Sequence, residues 1–149
     1  MRILALFLLL CVLLAGCGAA ESPTSTPLPT ATPPPLQPGD AERGVRLFQE
    51  PLLGSRPEPG CITCHSLQPG VTLVGPSLQG VAARAATVIA DPNYQGTAES
   101  AAEYLHESIN APDLYVAPGF VPGLMRPTFA EALTAQEQAD LVAYLLTLQ

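Results

Sequence analysis

The chain is 149 residues long, contains no lysine or tryptophan, and sets six arginines against thirteen acids for a formal net charge of −7. Without Arg2, the five arginines at 43, 46, 56, 84 and 126 face the same thirteen acids, a balance of about −8. Such a surface excludes nucleic acid and argues against an acidic partner, and the length allows one small domain.

Met1 and Arg2 precede an apolar run over residues 3–15, closed by Gly16 and Cys17. Such a run is short for a bilayer span but suits the apolar region of an export signal. The sequence Leu14-Ala15-Gly16-Cys17 resembles the lipobox of bacterial lipoproteins. That resemblance implies a signal peptide over 1–16, removed before Cys17, whose thiol and new amino group carry acyl chains. A plain signal or an uncleaved anchor with an incidental cysteine is the alternative. At roughly 0.8 kcal/mol per buried methylene, two or more chains hold a protein to a membrane almost permanently. Residues 17–38, the lipidated cysteine followed by "GAAESPTSTPLPTATPPPLQP", read as a tether, because Pro, Thr and Ser bury too little apolar surface to offset ordering entropy. At about 3.1 Å per residue it reaches roughly 60 Å.

The domain is expected over 39–149. Asp40 is placed to cap a first helix in which Ala41, Gly44, Val45 and Phe48 share one face. Gly44 costs such a helix about 1 kcal/mol against alanine, which points to a close crossing with another helix. "EPLLGSRPEPG" breaks the helix ahead of "CITCH", residues 61–65, and a turn-rich loop follows over 66–80. A short helix is predicted over 81–90, stopped by Asp91-Pro92. Another is predicted over 98–110, with Ala101, Leu105 and Ile109 inward and Glu99, Glu103, His106, Glu107 and Asn110 on a polar face. Residues 111–129 are punctuated by proline and glycine and read as an ordered loop. Thr134-Ala-Gln-Glu137 is a capping box, opening a last helix that runs to the C-terminus. No stretch alternates long enough for a convincing strand. The fold class is all-α: three to four helices joined by long loops, which in so small a domain require a large apolar group at the centre.

The cysteines narrow the chemistry. Cys11 lies in the signal and Cys17 is the lipid site, so Cys61 and Cys64 are the pair left in the domain. A disulfide between them would close too small a loop to stabilise much. Zinc would need His65 and His106 gathered with both cysteines, and a redox dithiol expects a βαβ setting. C-x-x-C-H in an exported chain is the attachment signature of haem c: two thiols add across two vinyl groups, and the adjacent histidine reaches the iron. For the opposite axial position the candidates are Met125 and His106. His106 sits among glutamates on a polar helix face, as a solvated histidine does. Met125, in "PGLMRPTF", is the remaining soft donor, and thioether ligation raises the potential relative to a second histidine.

With these motifs in place, the domain over 39–149 resembles a class I cytochrome c. "GDAERGVRLF" resembles the family's N-terminal helix and "LVAYLLTL" its C-terminal helix, which implies that Gly44 and Phe48 pack against Tyr144. "GPSLQG" resembles the family's Gly-Pro-x-Leu-x-Gly loop, implying that the Pro76 carbonyl accepts a hydrogen bond from the His65 ring. The position of Arg84 implies a pairing with a haem propionate. "YLHESINAPDLYVAPGF" further resembles cytochrome c domains of bacterial respiratory complexes. Two features depart from the family: Arg126 separates Met125 from Pro127, and the lysines that dock acidic partners are missing.

The expected function is a membrane-tethered carrier, not an enzyme, moving single electrons between respiratory or photosynthetic complexes. It would hold one covalent haem c through Cys61 and Cys64, with His65 and Met125 on the iron. Its partners would be redox complexes at the membrane, met through apolar contacts or through its own acids, with no small-molecule substrate. A fixed haem subunit of a larger complex, or a haem enzyme or gas sensor with an open sixth position, is the alternative.

Overall fold

Asp40 caps the first helix as its position predicts, its carboxylate accepting from the backbone amides of Glu42 and Arg43 at 2.9 and 3.1 Å. The computed structural model describes residues 38–149. The expected signal peptide over 1–16, Cys17 and the tether up to residue 37 lie outside the described residues. Helix α1 is Ala41–Gln49. A two-residue antiparallel ladder follows, β1 (Leu52–Leu53) against β2 (Glu58–Pro59), with Leu52 opposite Pro59. Then come a single turn α2 (Cys61–Cys64), α3 (Val81–Ile89), α4 (Ala101–Asn110), a 3-10 turn (Pro112–Leu114), a single turn α5 (Phe129–Ala132) and α6 (Ala135–Leu145).

The all-α expectation holds: among the described residues, four helices of nine to eleven residues form the frame. Four details differ. The ladder was not expected, because two residues per strand are too few to alternate. The helix expected over 98–110 begins at Ala101. Ser100 and Glu103 form a capping box there, while the Ala98 amide donates to the Tyr94 hydroxyl at 2.9 Å. The last helix stops at Leu145 rather than continuing to the C-terminus, its closing residues folding into turns. The loop over 111–129 holds the 3-10 turn and leads into α5.

The main packing surface joins α1 to α6, and it forms because Gly44 lacks a side chain. A Cβ at that position would strike the Asp140 carbonyl and come within 2.6 Å of the Tyr144 Cβ. Four residues along, Phe48, fully buried, meets Tyr144 edge to face with ring centres 5.5 Å apart. The remaining core gathers Leu105 and Ile109 of α4, Phe129 of α5, and Leu141 and Leu145 of α6.

A buried carboxylate locks the same crossing. Asp140, 2% exposed, accepts from the Arg43 guanidinium at 2.7 and 2.9 Å, from the Asp40 amide at 2.8 Å and from the Gln136 side chain at 2.9 Å. A buried charge persists only when paired and hydrogen-bonded in this way. The Arg43 bond, against the opposing effect of burial, holds the Asp140 carboxyl down at about 2. A carboxylate with a depressed folded-state value adds stability that is complete above its unfolded value of about 3.9 and is lost as pH falls toward the folded one. Asp140→Asn should therefore lower the unfolding free energy by about 1–3 kcal/mol at neutral pH. The difference from the unsubstituted protein should shrink as pH falls from 4 toward about 2. Urea titrations across that range measure it, and a pH-independent difference would show that the charge is not the cause.

Candidate functional site

One helical turn converts the spacing of "CITCH" into a geometry. Residues three and four apart lie on one side of a helix, so Cys61, Cys64 and His65 emerge together while Ile62 and Thr63 turn outward. The β1–β2 hairpin delivers the chain to this turn, the Gly60 amide donating to the Pro51 carbonyl at 2.9 Å. His65 leaves the turn in extended conformation, its amide donating to the Cys61 carbonyl at 2.9 Å.

The loop over 75–80 then holds the imidazole from two sides. The Pro76 carbonyl lies 2.9 Å from His65 Nδ1. A carbonyl can only accept, so Nδ1 carries the proton and Nε2 keeps a free lone pair. Gly75 lies directly against the ring: a Cβ there would crowd Cε1 and come within 2.8 Å of Nδ1. Its amide donates to the Cys64 carbonyl at 2.8 Å, tying the loop to the motif. Burial pulls the His65 ring below its ordinary titration value, opposed by the bond to Pro76, and favours the neutral imidazole that a metal needs.

The same surroundings count against the other uses of two cysteines. Cys61 and Cys64 are half-buried and are not joined in a disulfide. Burial, reinforced by Cys64, pushes the Cys61 thiol up to about 11, whereas a redox dithiol requires a depressed value. Among the described residues no three His, Cys, Asp or Glu side chains gather as a metal site, so His106 does not complete a zinc cage with the motif. His106 is half-buried on α4, its Nε2 3.2 Å from the Asn110 side-chain nitrogen.

Comparison with known proteins agrees with this arrangement. The family profile described as Cytochrome c matches residues 41–149. Cytochrome c of Euglena viridis is 34% identical over 116 residues, covering 74% of this chain and 99% of the relative. Cytochrome c 2.1 of Caenorhabditis briggsae is 29% identical over 112 residues, covering 72% and 87%. The chain belongs to the cytochrome c family. It is thus an electron-carrying haem protein, with haem c bound covalently through Cys61 and Cys64.

The remaining residues suit a cytochrome c haem. Met125, half-buried, packs against the hydrophobic core from the loop between the 3-10 turn and α5. That loop is anchored by the Gly123 amide, which donates to the Asp113 carboxylate at 2.9 Å. Arg126, interposed before Pro127, points its guanidinium toward Glu58 of β2 at 4.0 Å. Among the described residues, two buried polar atoms lack a protein partner: Asn110 Oδ1 at the end of α4 and Thr128 Oγ1 after the methionine loop. Buried polar atoms are rarely left unpaired; the Thr128 hydroxyl could donate to a carboxylate of a bound haem, whereas Asn110 Oδ1, itself an acceptor, could not. Arg84 is exposed on α3 and donates to the Ser77 carbonyl at 2.7 Å and to the Gln79 carbonyl.

Sequence reasoning did not single out Gly75, Ser77, Asn110 or Thr128. Gly75 and Ser77 stood inside the Gly-Pro-x-Leu-x-Gly loop and were findable there. The roles of Asn110 and Thr128 depend on contacts that no spacing encodes. The polar face of α4 also differs from a solvated stripe: Glu107 accepts from Tyr94 and from Thr97, and Asn110 donates to Gln138 of α6 at 3.0 Å.

Proposed function

We propose that this cytochrome c is a single-haem carrier with His65 and Met125 as axial ligands, tethered to a membrane through a lipidated Cys17 after export. The observation that carries the reading is the His65–Pro76 hydrogen bond, which aims a neutral imidazole from the side of the two attachment cysteines. Bound haem supplies a one-electron ferric/ferrous couple. The chain's own work is to hold that couple with little rearrangement. His65 is fixed by Pro76 and Gly75, Met125 is held by a loop pinned at Asp113, and the α1–α6 crossing keeps the frame rigid. Arg84 retains unused donors for a propionate, the pairing its position in the family implies.

The docking face is legible in chemical terms: Ile62 on the attachment turn, and Leu73, Val74, Val121 and Leu124 on the loops next to His65 and Met125, are exposed. Apolar side chains that stay exposed beside a bound haem would form an apolar docking patch, for which redox complexes at the membrane are fitting partners. With no lysine in the chain, docking rests on this patch and on acids facing a basic partner.

Optical spectra of the purified full-length holoprotein test the reading. A haem that resists acid extraction, a far-red sulfur-to-iron band in the ferric state and no carbon monoxide binding at neutral pH are expected. Ready binding of carbon monoxide would overturn the carrier assignment in favour of an open-site enzyme or sensor. Membrane attachment is checked on the same cells: the protein should resist high salt and leave the membrane only with detergent.

A further inference from the structure

The Pro76 carbonyl that orients His65 belongs to a loop with few apolar anchors, so something else must hold it still. The structure supplies a polar brace. The Ser77 hydroxyl donates to the Gln68 carbonyl at 2.7 Å, across the turn that follows the attachment motif. The Leu78 amide donates to the Ser66 carbonyl at 2.8 Å. From α3, Arg84 closes the loop by donating to the carbonyls of both Ser77 and Gln79. Its two guanidinium nitrogens thus grip carbonyls one and three residues beyond Pro76.

We infer that Ser77 and Arg84 are positioning residues for the His65 ring, acting through the Pro76 carbonyl, a role for Arg84 additional to the propionate pairing proposed above. This rests on His65 being the axial ligand. A hydrogen bond from Nδ1–H strengthens imidazole donation and favours ferric iron. Loosening the carbonyl therefore raises the midpoint potential. Loss of a positive charge near a propionate works in the opposite direction, because it favours the ferric state. The sign separates a brace from a charge.

Two charge-conserving substitutions in the holoprotein exploit this. Ser77→Ala removes the tie to Gln68. Arg84→Lys keeps the charge but loses the planar fork that reaches two carbonyls at once. Each should speed solvent exchange of the His65 Nδ1 proton, read by NMR in the ferrous protein, by about tenfold, the scale of one lost hydrogen bond. Each should also raise the potential, and Ser77→Thr, which retains the hydroxyl, should restore both. If Arg84→Lys leaves exchange and potential unchanged, Arg84 acts through its charge and has no part in the brace. If Ser77→Ala leaves exchange unchanged, the brace itself is refuted. Failure of the underlying ligand assignment is separately visible, since the unsubstituted protein would then lack the low-spin spectrum of a His/Met haem.

Discussion

Met125→Ala should abolish the far-red sulfur-to-iron band of the ferric protein, open the sixth position to carbon monoxide, and lower the midpoint potential. The drop should be on the order of 0.1–0.3 V, part of the roughly 0.8 V range over which axial ligands set haem potentials. A thioether is a soft donor that favours ferrous iron, and alanine offers no donor in its place. The loop itself should survive, because its anchors lie elsewhere: Gly123 on Asp113, and α5 on the core through Phe129. Met125 is only half-buried, so removing its side chain should cost about 1–3 kcal/mol of stability, less than a fully buried methionine would. Persistence of the band in the variant would rule out Met125 as the ligand.

Gly44→Val should have the largest effect on stability. The atoms that a side chain would meet are the Asp140 carbonyl and the Tyr144 Cβ, both part of the α6 backbone framework rather than the free end of a flexible chain. The helices must separate, which also stretches the Arg43–Asp140 pair and the Phe48–Tyr144 contact. Replacing glycine gains at most about 1 kcal/mol of helix propensity. Overpacking costs about 1–3 kcal/mol where neighbours can yield, and here they cannot. A net loss of about 3 kcal/mol or more is expected, a large share of the roughly 5–15 kcal/mol that stabilises a typical domain. Denaturant midpoints of the holoprotein measure it. A midpoint within error of the unsubstituted protein would mean that α1 and α6 do not cross at Gly44.

These two positions differ in how visible they were beforehand. Gly44 announces itself, because a glycine on the apolar face of a helix has a cost that only a close contact repays. Met125 was chosen by elimination among few donors, and it lies half-buried against the core. The single turns and the hairpin were invisible for a simple reason: elements of two to four residues complete no period that a pattern can reveal. The start of α4 was misplaced because Ala98 continues the apolar pattern, while its amide is committed to Tyr94.

By itself, the sequence determined the chemistry: two thiols and an imidazole at the C-x-x-C-H spacing, a proline loop to follow, and capped helices at either end of the domain. These are local properties, set by spacing and by backbone preferences within a few residues. Tertiary structure alone decided how those parts are held. Pro76 meets His65 across eleven residues and Arg43 meets Asp140 across ninety-seven. Arg84 grips the loop carbonyls of Ser77 and Gln79 across seven and five residues. Such contacts depend on where the chain returns in space, and the energy of a hydrogen bond or a helix crossing is fixed by that return rather than by the residues in between.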